Sequence, residues 1–166
     1  SEVVARAPAF KECLQYIQLE SEKSQPTLRI TGSEIVDGSA WQEDLWHALV
    51  LGIRDYLGKN GFPGAILGLS GGIDSALVLA LAVDALGADK IHAVMMPSPY
   101  TADISWLDAR EMAQRLSVRY DEISIAHLFE GFKASLAEQF KGLAEDTTEE
   151  YIQARVRGTL LMALSN

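Results

Sequence analysis

The chain of 166 residues has one cysteine, few basic residues and no long apolar run. The single cysteine, Cys13, excludes an internal disulfide framework and fits a reducing, cytoplasmic setting. Lys and Arg number 14 against 23 Asp and Glu, and the net charge of −9 without a basic patch argues against a nucleic-acid partner. No segment has the length of a membrane span or the pattern of a signal peptide. We therefore expect no nucleic-acid partner and no membrane partner.

The residues that are present suit a globular domain with a core, since 48% of them are apolar. Residues 1–38 are the least regular part. Phe10, Leu14 and Ile17 predict one short helix there, and the polar, Pro and Gly signals of residues 21–38 predict a linker. We expect a boundary near residue 38. The chain lacks an initial Met and stops within a helical pattern, so a fragment of a longer protein is expected.

From residue 39 onward, predicted helices and strands alternate. Apolar residues at every fourth position predict a helix over 45–57, behind a capping box at Ser39 and Gln42. A second capping box, Thr147 and Glu150, introduces the last helix. The other strands and helices are predicted at 65–69, 74–86, 91–96, 104–116, 118–125 and 129–140. This order predicts an α/β fold, a doubly wound parallel sheet with right-handed crossovers and helices on both faces.

The most informative segment follows the first predicted strand and reads Gly68, Leu69, Ser70, Gly71, Gly72, Ile73, Asp74 and Ser75. A buried strand turns directly into a helix here, and two adjacent glycines allow a ligand to approach the backbone. Exposed N–H groups at the positive end of a helix bind anions. Ligands of parallel sheets also bind beyond the carboxyl ends of the strands, where this loop lies. The loop is therefore predicted to hold phosphate.

Two phosphate-loop patterns fail on this segment, and a hydrolase pattern fits it. The Walker pattern lacks its lysine, and the adjacent glycines break the Rossmann fingerprint. Residues 68–72 satisfy the nucleophile elbow of α/β-hydrolases, with Ser70 as nucleophile, Asp103 or Asp121 as acid and His127 as base. Too few strands precede the elbow, however, and no oxyanion segment is present. The hydrolase is the less favoured alternative.

The hexapeptide from Ser70 to Ser75 resembles the Ser-Gly-Gly-x-Asp-Ser signature of the ATP pyrophosphatase superfamily, whose members adenylate a substrate and release pyrophosphate. Its chemistry agrees with that resemblance. The two serines and the glycine N–H groups can cradle the phosphates of ATP, and Asp74 can hold a bridging Mg²⁺. A carboxylate beside phosphate needs such a cation between them. The resemblance implies an adenine nucleotide alpha hydrolase-like fold.

Three further stretches resemble NAD synthetase, particularly its glutamine-dependent form: residues 55–64, 95–105 and 148–166. The resemblance implies that residues 39–166 are the N-terminal part of the synthetase domain, here truncated. It also implies that residues 1–38 are the linker or tail of a preceding nitrilase-like glutaminase domain. Met95 and Met96 are similar to the wall on the adenine side of the family's site, although the same side chains could equally be core.

The resemblance implies a ligase that uses ATP, Mg²⁺ and glutamine or ammonia. The carboxylate of deamido-NAD attacks the α-phosphate of ATP, pyrophosphate leaves, and ammonia converts the acyl-adenylate into NAD and AMP. A cytoplasmic homo-oligomer, expected to be a dimer, is implied as well. Because the family's residues beyond the Leu-Ser-Asn sequence are absent here, we expect the fragment alone to bind ATP weakly and to be inactive. No catalytic residue is assigned.

The last helix is expected to face deamido-NAD. Tyr151, Arg155 and Thr159 share one helical face, and Arg155 can pair with the anionic substrate. The family usually has asparagine where this chain has Tyr151, which can stack on a ring or hydrogen-bond through its hydroxyl. Arg157 is expected to point elsewhere, as a surface or interface salt-bridge partner.

Two other functions remain open at this point. The first is a different amidotransferase of the same superfamily, such as a GMP or asparagine synthetase, which lacks the Glu-Glu-x-Ile-Gln-Ala-Arg helix. The second is a non-catalytic nucleotide-binding module, which would bind ATP without needing Mg²⁺ or Asp74.

Overall fold

The computed structural model describes residues 3–21, 28–144 and 146–166. They form two compact units, one extending to Gly52 and the other running from Ile53 to Asn166. The division falls inside the first helix, α1 (Trp41–Lys59). Helix α1 begins at Trp41, so the residue at its N-cap position is Ala40 and not Ser39, which the sequence predicts as the cap. None of the described helices is both long and apolar enough to cross a membrane.

The first unit contains a two-stranded antiparallel sheet, formed by β1 (Gln18–Ser21) and β2 (Leu28–Gly32). The helix predicted around Phe10, Leu14 and Ile17 is wrong, because these residues are not helical. Phe10 adopts a φ of 57°, a left-handed conformation that interrupts a right-handed helix. Of the predicted linker, residues 22–27 lie outside the described residues, and residues 28–32 form strand β2 instead.

The second unit confirms the predicted alternation of strands and helices. Its parallel sheet has the strand order β3 (Ala65–Gly68), β4 (Ile91–Met95), β5 (Arg119–Glu122). The helices are α2 (Ile73–Leu86), α3 (Asp103–Arg115), α4 (Ala126–Leu136) and α5 (Thr147–Ser165), with a short 3-10 helix at Ala88–Lys90 before β4. The chain is therefore α/β, as the sequence predicts.

Helices cover both faces of this sheet. Successive residues of a strand point to opposite faces, and the central strand β4 shows this. Its Ala93 belongs to one buried cluster with Leu79 of α2 and Ala109 of α3. Its Val94 belongs to another buried cluster with Val156 of α5. Helices α2 and α3 thus cover one face and α5 the other, which leaves the carboxyl ends of the strands as the place for a ligand.

The predicted capping box of the last helix is shifted by one residue. Asp146, not Thr147, is the N-cap, and its carboxylate accepts a hydrogen bond from the Thr148 backbone N–H at 2.7 Å. The Glu149 carboxylate accepts in return from the Asp146 N–H at 2.7 Å. Both Asp-x-x-Glu and Thr-x-x-Glu fit the capping pattern in this sequence, and the aspartate, a charged acceptor, occupies the cap.

Two polar contacts fix β5 against its neighbours. Glu122 accepts hydrogen bonds from Arg110 of α3 at 2.7 Å and from the Tyr120 hydroxyl at 3.0 Å. The hydrogen bond from Arg110 lowers the pKa of Glu122, whereas burial, followed by the bond to Glu122, raises the pKa of Tyr120 to about 12. His92 of β4 lies 2.6 Å from an Asp121 carboxylate oxygen.

Candidate functional site

The candidate site begins where β3 ends. Leu69 is 1% exposed, and its N–H donates to the carbonyl of Val94 at 2.9 Å, so the parallel pairing with β4 continues one residue beyond the strand. Ser70 is the first exposed residue after it. The chain then reverses into α2 within two residues, which places the predicted phosphate loop at the carboxyl edge of the sheet.

The hydroxyl groups of Ser70 and Ser75 hold the loop together. Ser75 Oγ donates to the Gly72 carbonyl at 2.9 Å and accepts from the Ser70 N–H at 3.1 Å. Because the single proton of Ser75 is used there, Ser70 Oγ donates to Ser75 Oγ, which lies 2.9 Å away. Ser70 Oγ in turn accepts from the Gly72 N–H at 3.2 Å. The two serines thus form the internal frame of the loop.

Gly71 is required for conformation and for space. Its φ is +81°, a left-handed value that is unfavourable for residues with a side chain. A Cβ at this position would lie 2.2 Å from the carbonyl oxygen of Ser105 in the first turns of α3. The neighbouring Gly72 has neither restriction, because its φ is −86° and a Cβ there would meet only Ser70 Oγ, at 3.3 Å.

The first turn of α2 presents free backbone donors. The first hydrogen bond of this turn joins the Ala76 N–H to the Gly72 carbonyl at 3.1 Å. Within the described parts of the chain, no acceptor pairs with the N–H groups of Ile73, Asp74 and Ser75. Unpaired N–H groups at a helix N-terminus bind phosphate. The loop therefore has the free donors that the predicted phosphate site requires.

A cleft of about 560 Å³ opens between this loop, the ends of β3 and β4, and α5. Its lining is mainly apolar and small, with the hydroxyl groups of Ser70 and Thr101. Met95 and Met96 line the cleft and are 3% and 4% exposed, so both belong to the core and to the wall. The one charged residue lining it, among the residues described, is Arg157.

The position of Arg157 differs from the one that the sequence predicts. It does not lie on the surface as a salt-bridge partner. It is partly buried, and its Nε–H donates to the carbonyl of Met96 at 3.0 Å, at the end of β4. The 3.6-residue repeat of a helix shows only which of its residues share a face. The cleft side of α5 follows from the sheet against which it packs, and a local pattern does not contain that information.

Comparison with known proteins agrees with this geometry. The family model described as NAD synthase matches residues 45–166. The chain belongs to the NAD synthase family. It is 47% identical over 165 residues to a protein named glutamine-dependent NAD(+) synthetase from Acinetobacter baylyi, covering 99% of this chain and 30% of that protein.

Two solved structures show the same fold. The glutamine-dependent NAD+ synthetase of Acinetobacter baumannii, in complex with adenosine diphosphate, matches with a TM-score of 0.84 and 47% identity, over 96% of this chain and 30% of that one. The NMN synthetase of Francisella tularensis matches with a TM-score of 0.67 and 30% identity, over 78% and 51%. The chain thus spans less than a third of the Acinetobacter relatives.

The alternative interpretation of the chain as a serine hydrolase is supported neither by its membership of the NAD synthase family nor by the geometry. The hydroxyl partners of Ser70 are Ser75 and Gly72, and no histidine is among them in the described residues. Asp121, one of the two candidate acids, is bonded to His92 and Arg119 instead of His127. The hydroxyl of Ser70 is therefore a structural element of its own loop.

The predicted contacts to the dinucleotide lie on a different face of α5 from the cleft. Tyr151 is 69% exposed, Arg155 is exposed, and neither lines the cleft. Thr159 Oγ1 donates to the Arg155 carbonyl at 3.0 Å, so its hydroxyl is used within the helix. The three residues do share a face, as expected, but that face is open. Their role in binding stays a prediction.

Proposed function

We propose that this chain supplies the ATP-binding part of a glutamine-dependent NAD synthetase. The reaction is the amidation of deamido-NAD to NAD through an acyl-adenylate. A carboxylate oxygen of deamido-NAD bonds to the α-phosphorus of ATP as the α–β phosphate bond breaks and pyrophosphate leaves. Ammonia then bonds to the acyl carbon, loses a proton, and AMP departs with the former carboxylate oxygen. The chain spans 30% of a relative bearing this name, so the activity is proposed for a protein that contains it.

The observation that carries this proposal is the phosphate loop. The N–H groups of Ile73, Asp74 and Ser75 are free to bind the phosphates of ATP, in particular the departing pyrophosphate. Residues 68–75 as a whole form the proposed ATP site. Because the serine hydroxyls fix the loop before the nucleotide arrives, the donors need little reorganisation as negative charge shifts to the leaving group. The Acinetobacter baumannii relative was solved in complex with adenosine diphosphate, which supports a nucleotide ligand.

Asp74 fits a magnesium ion that arrives with the nucleotide. Its carboxylate is exposed in the first turn of α2 and has no hydrogen-bond partner among the described residues. Those residues gather no group of three or more His, Cys, Asp or Glu side chains that could hold a metal alone. One carboxylate with phosphate oxygens and water is an ordinary Mg²⁺ environment. Mg²⁺ would neutralise charge between Asp74 and the phosphates.

Tyr151 and Arg155 are proposed to bind deamido-NAD. Their exposed side chains on one helical face leave an aromatic ring and a cation available to a dinucleotide. The face continues to Met162, which is 66% exposed. A second copy of the chain covering this face would form the homo-oligomer that the family resemblance implies. A dimer and a cytoplasmic setting belong to this proposal.

The domain assignment also belongs to the proposal. Residues 1–38 would be the linker or tail of a nitrilase-like glutaminase domain, and residues 39–166 the beginning of the synthetase domain. The match to the Acinetobacter baylyi relative, which covers 99% of this chain, supports a glutamine-dependent protein because it includes the segment before residue 45. Such a protein takes its ammonia from glutamine.

Asp74→Asn tests the proposed function through Mg²⁺-dependent ATP binding. We expect this change to weaken binding of MgATP by at least about tenfold, because a charge-assisted ligand is lost. Asp89→Asn, an exposed aspartate beyond the other end of α2, is the matched control. Titration of the 166-residue chain, followed by NMR, detects millimolar affinities.

A second readout tests the reaction itself. The protein containing this segment is expected to release pyrophosphate and form NAD from deamido-NAD, ATP and ammonia, whereas the 166-residue chain is expected to bind MgATP without forming NAD. ATP binding that ignores both Mg²⁺ and Asp74→Asn would instead establish a non-catalytic nucleotide-binding module.

A further inference from the structure

Arg157 carries a positive charge that the described residues do not neutralise. The two contacts of its side chain are neutral: the Met96 carbonyl at 3.0 Å and the Gln153 side-chain oxygen at 3.5 Å. No carboxylate of the described residues lies within ion-pair distance. Burial consequently lowers the pKa of Arg157. A partly buried cation without a counter-ion is costly, and an anionic ligand would remove that cost.

The same contacts orient the guanidinium. Nε and Nη2 each use one N–H, on Met96 and Gln153, and a guanidinium has five N–H donors. Three donors are left, on a group whose plane is fixed by the end of β4 and by its own helix. A fixed guanidinium with unused donors is suited to bidentate recognition of phosphate or carboxylate.

Arg157 lies where two cavities meet. It lines the cleft of about 560 Å³ together with Ser70, and also a cavity of about 640 Å³ bordered by Ser98 and Tyr100 of the segment after β4. The second cavity has acidic walls, Asp146, Glu149 and Glu150, whereas the first has no other charged lining residue among those described. An anion is therefore favoured on the side of the cleft that Ser70 borders.

We propose that Arg157 binds a phosphate group of the nucleotide substrate held in this cleft, opposite the Ser70–Ser75 loop. The proposal rests on the proposed function and deepens it, since the loop and Arg157 would bind one ligand from two sides of the cleft. The α2 N-terminus supplies neutral donors, and Arg157 supplies the full positive charge that the cleft otherwise lacks. The phosphate belongs either to ATP or to deamido-NAD, and the two are separated by experiment.

The test compares Arg157→Gln with Arg119→Gln. Arg119 is exposed at the start of β5, at the amino end of the strand and away from the loop, and its guanidinium donates to Asp121 at 3.0 Å, so its loss removes the same charge without touching the cleft. MgATP and deamido-NAD are titrated separately into each chain. We expect Arg157→Gln to weaken at least one of the two by at least about tenfold, and Arg119→Gln to weaken neither.

Two measurements separate binding from a merely structural tie between α5 and β4. Binding to wild type must weaken more steeply with salt than binding to Arg157→Gln, because an ionic contact is removed. Arg157→Lys, which keeps the charge, must recover part of the affinity. Equal salt dependence in both chains, or a lysine variant no better than glutamine, would overturn the assignment.

A labelling experiment on the unchanged protein needs no variant to fold. Phenylglyoxal modifies arginine, and mass spectrometry of peptides follows each site. Bound nucleotide is expected to slow modification of Arg157 and not of Arg119. Protection by MgATP or by deamido-NAD alone identifies which nucleotide supplies the phosphate. Labelling of Arg157 that neither nucleotide slows, in a chain that binds MgATP, overturns this inference and leaves the proposed function standing. Failure of wild type to bind either nucleotide overturns both.

Discussion

At the scale of single residues, Gly71 connects the loop to its surroundings. Its backbone lies so close to the Ser105 carbonyl that helix α3 forms a wall behind the loop. The glycine is therefore needed for packing as well as for its dihedral angles. At Gly72 beside it, only the Ser70 hydroxyl is near, and neither packing nor the dihedral angles require a glycine there.

Gly71→Ala is expected to destabilise the chain far more than Gly72→Ala. The left-handed dihedral alone costs about 1–2 kcal/mol for alanine, and contact with a backbone oxygen adds to this because α3 must shift. For a chain of this size the melting temperature should fall by about 5 °C or more. Thermal unfolding followed by circular dichroism measures both variants. Similar melting temperatures for the two would contradict the close contact with Ser105.

At the scale of elements, the cap of α5 determines where the last helix begins. The hydrogen bond from the Thr148 backbone lowers the pKa of Asp146. A carboxylate with a lowered pKa in the folded state contributes stability above its unfolded pKa, and this contribution is lost as the pH falls through the folded value. The contribution is therefore complete at neutral pH, begins to decrease near the unfolded pKa of about 4 and is lost at lower pH.

Asp146→Ala is expected to lower the melting temperature at pH 7 and to have a smaller effect near pH 3, because the contribution of a carboxylate whose pKa is lowered by folding decreases as the pH falls toward that pKa. Thr147→Ala is the matched control, since Thr147 is the residue that the sequence pattern favours as cap and the structure places inside the helix. Melting curves at the two pH values provide the comparison. An equal loss at both pH values would show that the carboxylate is not the stabilising group.

Elements with strong periodic or apolar patterns were predictable from sequence, and weakly patterned ones were not. The strand before the loop and the helix after it follow from a short apolar run, two glycines and a long apolar helix ended by Gly87. Strand β1, by contrast, is four exposed residues with no alternation. It is held by antiparallel pairing with β2, the next strand along the chain, and the side chains of its own residues do not encode that pairing.

At the scale of the whole molecule, the two units differ in how well their strands are buried. All four residues of β1 are exposed, whereas four of the five residues of β4 are buried between helices. The candidate site is built entirely within the better buried unit. Its loop was predictable, but the position of Arg157 was not, since it depends on how α5 packs on the sheet.

Amide hydrogen exchange should follow this difference. Amides of β4 are expected to exchange at least about tenfold more slowly than those of β1, because the buried strand opens only with its unit. Exchange followed by mass spectrometry resolves the two peptides. Protection of β1 equal to that of β4 would mean that the units unfold as one.

The order of the parallel sheet has a consequence for how the chain behaves at high concentration. Within the described residues β3 pairs on one side only, with β4, and its sequence Ala65–Gly68 has no charge and no proline. Strand β5, at the other edge, has a charged side chain at three of its four residues, the fourth being Tyr120, and such an edge resists addition of another strand. Among the described strands, the β3 edge is therefore less protected than the β5 edge against pairing with another strand.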